Sequence, residues 1–408
     1  MKASRVAIAA LLSACGIALA VPSAAPAQQP SRPLALSNQE RTAVVALQAA
    51  AAGVDRAAQD TALSAARAAA QGADARYAVA NLQYQIGRAR GDQPMQIQAI
   101  DAMLASGVPD AAELVPLIAH QASRAFSAGD VRQVDALLGR MSELQPNNAA
   151  ILADHAQLKA RLGNRPEAVA LLERAIVAQR AAGQAVPESW YLRAVALSTE
   201  ARMPQSIMLA RELITTYPSP VNWRDALLTY RGAVPADPAL TLDISRLARA
   251  SQALSGERDY LEFARALVVA DLPGEAKAVL DEGITRGMLT TTEAVVRDLV
   301  TRTTGPAGRS RSGLAALRTR ALAAASGAQA RTAGDTAFGH GQYTEAAELY
   351  QAALQKGGED PNLVNSRLGA ALALAGRRPE AEMALRAVTG PRADLSGFWL
   401  AWLARRAV

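Results

Sequence analysis

The chain has 408 residues and a formal net charge of +6; half of its residues are apolar, but only 4% are aromatic. Alanine supplies much of the apolar total, which favours close-packed helices over strands rich in β-branched and aromatic residues. The sequence contains no block of five or six Lys or Arg residues, so it argues against a nucleic-acid partner.

The first 27 residues have the three parts of a secretory signal peptide. Lys2 and Arg5 precede an apolar run over residues 6–21, and small residues follow up to Ala27. We therefore expect cleavage after Ala27 and a mature chain that is periplasmic or secreted.

A membrane-anchored lipoprotein is the alternative. Leu12-Ser13-Ala14-Cys15 matches the sequence at which bacteria lipidate a cysteine, so Cys15 is the candidate lipidation site. Only in that case do we expect the protein to contact a membrane. Cys15 is also the single cysteine, and a mature chain that starts at Gln28 would therefore contain no disulfide.

Residues 28–36 are rich in Gln, Pro and Ser and are predicted to form a disordered tether. After them the sequence predicts helical pairs, beginning at Ser37 or Asn38, either of which can cap a helix. The turn glycines Gly129 and Gly163 are 34 residues apart. The first three pairs are predicted at 38–52 with 56–71, at 74–90 with 95–105, and at 111–127 with 131–144.

A fourth pair turns at Gly163, and a fifth pair opens near Trp190 and closes at Pro218. Trp223 opens the next unit. That unit is irregular, because residues 232–238 replace the usual tight turn. The sequence leaves open whether residues 231–256 interrupt the array. Further helices are predicted at 239–253, 257–270, 273–286 and 292–303.

Residues 305–313 are polar and rich in Gly and Ser, so they predict a linker. This linker would separate a helical-repeat array at 37–304 from a C-terminal module at 314–408. In that module the turn glycines Gly341 and Gly376 are 35 residues apart, and a last helix at 394–405 would cap the stack.

The repeat at 334–354 carries the clearest motif. Gly334 keeps one helix thin, Gly341-Gln342-Tyr343 turns the chain, and Ala346, Tyr350 and Ala353 share one face of the next helix. In these residues and in its period the chain resembles bacterial exported tetratricopeptide repeat (TPR) proteins. The resemblance implies an all-α solenoid of helical hairpins, a right-handed superhelix with a C-terminal capping helix, in which each hairpin buries its apolar face by stacking on its neighbours.

No sequence motif indicates catalysis. Neither a Gly-x-Ser-x-Gly elbow, nor His-Glu-x-x-His, nor a phosphate loop ending in Gly-Lys occurs. We therefore predict a protein that is not an enzyme and has no cofactor and no metal.

In TPR proteins the first helix of each pair lines a concave groove that commonly holds an extended peptide. The pair of Lys and Asn residues with which some relatives bind a peptide carboxylate is replaced here by Arg331 and Asp335 in one repeat and by Ala153 and Gln157 in another. Ordinary solvated helix faces are the alternative interpretation. The resemblance implies a candidate peptide groove formed by Phe126, Gln157, Arg161, Tyr191, Arg258, Arg265, Arg331, Asp335 and Arg367.

The last helix carries an aromatic cluster, Phe398, Trp399 and Trp402, in a chain otherwise poor in aromatic residues. The cluster predicts either core packing of the cap or, if it is exposed, a contact with a protein or a membrane.

These features predict a scaffold of the bacterial cell envelope that binds peptide or protein segments in the concave face of a TPR array. One alternative is an adaptor in exopolysaccharide export or outer-membrane assembly. This alternative includes a lipoprotein form that is anchored through a lipid on Cys15. A second alternative is an accessory to an envelope enzyme that processes glycans. The sequence does not identify the partner, the pathway or the oligomeric state.

Overall fold

The computed structural model describes residues 33–405 of the chain. Within this range it contains twenty α-helices and one short 3₁₀ helix, and the same residues form no β-strand. The all-α class predicted from the alanine-rich composition is therefore confirmed. The predicted signal peptide, Cys15 and most of the predicted tether lie outside the described residues.

The chain divides into two compact units, one ending at Val186 and the other beginning at Pro187. In the first unit each odd-numbered helix packs against the even-numbered helix that follows it, and the hairpins stack in sequence order. Its helices are α1 (Asn38–Ala51), α2 (Arg56–Ala69), α3 (Ala73–Arg90), α4 (Gln93–Ser106), α5 (Ala111–Ser127), α6 (Val131–Leu144), α7 (Ala149–Arg161) and α8 (Arg165–Ala181).

The second unit is also built from helices that pack on their sequence neighbours. A 3₁₀ helix, Gly390–Arg392, precedes its last α-helix. The helices are α9 (Glu188–Glu200), α10 (Ser206–Thr216), α11 (Pro220–Ala233), α12 (Pro238–Ala250), α13 (Glu257–Val269), α14 (Pro273–Thr285), α15 (Ala294–Ala323), α16 (Gly327–Gly339), α17 (Tyr343–Lys356), α18 (Pro361–Leu374), α19 (Arg378–Arg386) and α20 (Ala393–Arg405).

Short polar side chains start many of these helices. Asp130, Asn148 and Asn164 each accept a hydrogen bond from the backbone N–H three residues later, at the first turns of α6, α7 and α8. Such a bond satisfies one of the N–H groups that have no partner inside the helix. These residues therefore fix the start of the helix that follows each of them.

The hairpin turns need one residue in the left-handed conformation. Gly163 and Gly341 supply it with φ values of 80° and 75°. Arg202, Gln252 and Asp271 take the same place after α9, α12 and α13, with φ values of 52°, 61° and 54°. A side chain in this conformation costs about 1–2 kcal/mol, and the missing glycine is the reason that these repeats are hard to recognise in the sequence.

Gly334 fulfils its predicted role. A Cβ atom at this position would lie 2.8 Å from the ring of Tyr350, and helices α16 and α17 pack closely at this point. Any larger residue would push the two helices apart. The paired glycine and tyrosine thus define the best-formed hairpin of the second unit.

The predicted linker at 305–313 is wrong. These residues lie inside α15, a continuous helix of 30 residues that includes Pro306. The helix packs against α13, α14, α16 and α17. This packing offsets the poor helix propensity of glycine and the cost of about 3 kcal/mol for an internal proline. The division between the two compact units falls between Val186 and Pro187 instead, so the boundary predicted from composition is misplaced.

Residues 231–256 do not interrupt the helical pairing. Asp237 accepts a hydrogen bond from the backbone N–H of Ala239 and starts α12, which packs against α11 and α13. The right-handed sense of the superhelix stays a prediction from the resemblance.

Candidate functional site

The C-terminal helix α20 packs inside the second unit, against α10, α18 and α19. Phe398 lies with its ring centroid 6.4 Å from that of Trp223 and 5.7 Å from that of Tyr230. The indole N–H of Trp402 donates a hydrogen bond of 3.1 Å to the carbonyl oxygen of Ala250. The helix therefore contributes to the core of its unit.

The proposed partner contact through the aromatic cluster is not supported, because Phe398, Trp399 and Trp402 are all buried. The physical reason is the position of α20 between earlier helices of the same unit, which removes about 150–250 Å² of each aromatic side chain from water. The sequence interpretation of core packing by the cap is the one that the structure agrees with.

Six buried charged residues form an ion cluster at the centre of the second unit. Three arginines face three carboxylates, so the charges balance. Each member is at most 6% exposed. The members are Asp243 and Arg246 on α12, Glu275 on α14, Asp335 on α16, Arg367 on α18 and Arg392 of the 3₁₀ helix.

Asp243 binds all three arginines, and Arg246 Nη1 lies 3.2 Å from its Oδ1. Its Oδ1 accepts a hydrogen bond of 3.0 Å from Arg367 Nε, and its Oδ2 accepts one of 2.6 Å from Arg392 Nη1. Arg367 Nη1 also reaches Asp335 Oδ2 at 2.8 Å, and the hydroxyl of Tyr350 donates to Asp335 Oδ1 at 2.8 Å. Each of these oxygens has a charged or hydroxyl donor.

Arg246 completes the cluster on the side of α14. Its Nη2 lies 2.7 Å from Glu275 Oε2, and its guanidinium carbon lies 4.5 Å from the centre of the Phe338 ring. Such a stacked and paired guanidinium is held in one orientation.

The pKa of the Asp243 carboxyl shows which effect dominates in the cluster. Burial by itself raises this pKa, but the positive charges of Arg367, Arg246 and Arg392 outweigh burial and hold it below its usual value. The carboxylate is therefore ionised at neutral pH and its oxygens are occupied by guanidinium groups. This arrangement provides rigid support to the helices that carry the cluster.

An open groove lies between α11, α12 and α13, and we call it the α11–α13 groove. It encloses about 330 Å³. Its floor is apolar, with the buried side chains of Leu227, Ile244, Leu254 and Phe263, while Leu228 is 46% exposed at its edge. An apolar floor of this size accommodates a side chain of a bound peptide.

The rim of the α11–α13 groove carries charges. Arg224 Nε lies 3.1 Å from Asp259 Oδ2, and Glu262 Oε1 accepts a bond of 2.7 Å from Arg258 Nε. Arg265 is exposed, and within residues 33–405 it has neither a hydrogen bond nor an ion pair. It is thus a cation at the rim that is available to a partner.

Helix α12 links the ion cluster with the groove. Asp243 and Arg246 extend from one face, while Ile244 and Ala248 extend from the adjacent face and line the groove. Helical geometry places residues three or four apart on the same face, so the two sets stay separate. The cluster therefore fixes the helix that forms the groove floor.

The predicted groove residues fall into separate places. Arg265 lines the α11–α13 groove, and Arg258 binds Glu262 at its rim. Arg331 pairs with Asp335 at 3.0 Å and joins the edge of the ion cluster. In the first unit Arg161 is exposed, Gln157 is half-buried and Phe126 packs against the core of α5 and α6.

Tyr191, Asp335 and Arg367 are buried, which corrects their assignment to an accessible peptide groove. Tyr191 packs edge-on against Tyr217, with ring centroids 6.2 Å apart. The repeat pattern gives the position of a side chain within its own hairpin. It does not include the later or earlier helices that cover that side chain.

Sequence reasoning did not find Asp243, Arg246, Glu275 or Arg392. The only local signal was an Asp and an Arg three residues apart among the leucines of α12. Because the other two partners of Asp243 lie 124 and 149 residues away, no periodic pattern could have paired them with it.

The helices and turns of the described residues define the class of this protein as an all-α protein built from stacked helical hairpins. No family model matches the chain, and no curated protein matches it. One similar solved structure is that of Naa15/Naa10 bound to HypK-THB, with 14% identity, coverage of 90% of this chain and 67% of that chain, and a TM-score of 0.26. The class assignment rests on the helices of this chain and not on that likeness.

Between residues 33 and 405, no helix is both long enough and apolar enough to cross a membrane. In the same range, no three or more His, Cys, Asp or Glu side chains are grouped so that they could hold a metal ion.

Proposed function

We propose that this chain is a non-enzymatic protein-interaction scaffold, and that the α11–α13 groove holds an extended segment of a partner protein. The observation that carries the proposal is an apolar floor beside the unpaired cation Arg265. Apolar burial supplies affinity, and a charge at the edge selects among partners.

Charge complementarity specifies the partner segment. Leu228 and the groove floor accommodate one large apolar side chain. Arg265 can pair with a carboxylate that lies near this apolar side chain in the partner segment, because the groove itself gives Arg265 no ion pair. We therefore commit to an extended segment with an apolar residue and a nearby acidic residue.

The proposed location is the bacterial cell envelope, after removal of residues 1–27. Mass spectrometry of the mature N-terminus tests it: a chain that starts at Gln28 supports export without a lipid, and a diacylated Cys15 supports the lipoprotein alternative. Adaptors in exopolysaccharide export or outer-membrane assembly, and accessories of glycan-processing enzymes, are the envelope roles that a peptide-binding scaffold can fill.

A displayed library of random 12-residue peptides tests the groove. We expect selection of peptides with an apolar and an acidic residue, and a loss of affinity of about tenfold or more with Leu228→Arg or Arg265→Glu. Val269→Arg is the matched control, since Val269 is 87% exposed on α13 and does not line the groove. Enriched peptides that bind Leu228→Arg as well as the natural protein would refute the proposal.

A further inference from the structure

A second opening in the second unit surrounds the turn after α16. It encloses about 410 Å³ and is lined by parts of α12, α14, α15 and α17 as well as by the turn itself. We call it the His340 pocket. Its volume falls within the range of small-molecule sites in proteins, about 300–1,000 Å³.

His340 is held in one place in this pocket. Its Nε2 lies 3.0 Å from Ser310 Oγ, and its ring packs so close to Gly274 that a Cβ atom there would lie 2.4 Å from ring atom Cε1. Burial, together with the charge of Arg311, lowers the pKa of the imidazole. The imidazole ring is therefore neutral at pH 7. Its Nδ1 has no hydrogen-bond partner within the described residues.

Most charged groups of the pocket are already paired. Arg249 Nε binds Glu282 at 2.6 Å, and Lys277 Nζ binds Asp281 at 2.7 Å. Glu275 belongs to the ion cluster, where it binds Arg246. These pairs neutralise each other and contribute no net attraction for an anion.

Two other residues of the pocket, Arg311 and Tyr343, have polar groups without a partner in the described part of the chain. Arg311 is exposed at the pocket and makes no ion pair or hydrogen bond in the part of the chain that the structure describes. The Tyr343 ring packs edge-on against Phe338 at 5.2 Å, and its hydroxyl has no hydrogen-bond partner over the same residues. Arg311 and Tyr343 line the same pocket, so a guanidinium and a phenol without partners in the described residues are available as donors to a carboxylate.

We infer that the His340 pocket is a binding site for a small molecule that carries a single carboxylate, a function separate from the peptide groove. The uncompensated charge of Arg311 matches one negative charge, and because the other charged groups of the pocket are paired, no second cation balances a more highly charged ligand such as phosphate. The polar walls and the edge of Tyr343 surround the remainder of the molecule.

Isothermal titration at fixed ionic strength tests the site with two acids, benzoate and D-glucuronate. Their neutral counterparts, benzamide and D-glucose, and inorganic phosphate are titrated in parallel. We expect at least one acid to bind saturably, and its neutral counterpart and phosphate to bind about tenfold or more weakly.

Arg311→Gln is expected to weaken the acid about tenfold or more, and Tyr343→Phe to weaken it several-fold. The matched control is Arg320→Gln, at another exposed arginine of α15 whose side chain has no partner within the described residues and does not line the pocket, and it is expected to leave the affinity unchanged. Circular dichroism of each variant checks that the fold is intact.

Three results would overturn the inference: neither acid binds saturably, a neutral counterpart or phosphate binds as tightly as the acid, or Arg311→Gln has no effect. Each of them leaves the peptide groove untouched, because that site is tested with Leu228→Arg and displayed peptides.

Discussion

Arg367 and Asp243 are 124 residues apart in the sequence and form a buried ion pair of 3.0 Å. Arg392, which follows Asp243 by 149 residues, binds the other carboxylate oxygen at 2.6 Å. One side chain on α12 therefore holds α18 and the 3₁₀ helix before α20 in place. Because these charged groups are buried, each depends on its partners to offset the loss of hydration.

Asp243→Asn is predicted to destabilise the second unit by about 3–5 kcal/mol, since it leaves Arg367 and Arg392 buried with too little negative charge. All four tryptophans of the chain lie in this unit, so urea unfolding followed by tryptophan fluorescence measures its stability. Asp281→Asn is the control, because the Asp281 side chain is half exposed and its pair with Lys277 is worth about 1 kcal/mol or less. Equal effects of the two substitutions would contradict a supporting role for the cluster.

Trp399→Ala is predicted to cost about 3–5 kcal/mol in the same unfolding measurement. Trp399 is 1% exposed and lies edge-on to Trp402, with ring centroids 5.4 Å apart. Met383→Ala, at a position 71% exposed on the neighbouring α19, is expected to change the stability by less than about 0.5 kcal/mol. A Trp399→Ala protein with unchanged stability would instead favour the contact surface that the sequence left open.

Pro306→Ala is predicted to stabilise the second unit by about 1–3 kcal/mol, because α15 continues through this proline and alanine restores the missing backbone donor. Pro361→Ala is the matched control: Pro361 is the first residue of α18, where proline costs nothing, so no comparable gain is expected.

Limited trypsin digestion tests independently whether this part of α15 is helical. Arg309 and Arg311 would be early cleavage sites in a linker, but in a packed helix they are expected to resist until the unit unfolds. Early cleavage after either arginine would restore the boundary predicted from composition.

Features that depend on neighbouring residues were well predicted. The bounds of α5 and α6, Ala111–Ser127 and Val131–Leu144, agree with those expected from apolar periodicity, and Gly129 turns the chain between them with φ of 74°. The regular period, the turn glycine and the aspartate cap are local signals, and together they determine the structure of the hairpin.

Features that depend on distant residues were not predicted. The Gly- and Ser-rich stretch inside α15 reads as a linker until the four helices that pack on it are known. The partners of Asp243 come from parts of the chain with no shared pattern. Among the candidate groove residues, Arg265 is exposed, whereas Asp335 and Arg367, which the sequence gave the same assignment, are buried.

Glu40 gives a prediction for the first unit that depends on pH. Its carboxylate accepts hydrogen bonds from the backbone N–H groups of Gly72 at 2.8 Å, Gln71 at 3.0 Å and Ser37 at 2.9 Å. Bonds from the Gly72 amide, and then from Ser37, lower the pKa of Glu40 to about 2. The side chain thus joins the start of α1 to the loop between α2 and α3.

Glu40→Gln is predicted to loosen that loop at pH 7, because a neutral amide replaces four acceptor sites with one weaker oxygen. A carboxyl whose pKa is lowered on folding stabilises the native state above its unfolded pKa, near 4.5. This stabilisation is lost as the pH falls toward 2. The difference between the natural protein and the variant should therefore be largest above pH 4.5 and shrink below it. Hydrogen exchange of the backbone amides at 70–73, corrected for the intrinsic effect of pH, measures it. Glu143→Gln, at an exposed glutamate of α6, is the control and is expected to leave this exchange unchanged at every pH. A Glu40→Gln effect that is constant from pH 7 to pH 2 would show that the charge of Glu40 does not hold the loop.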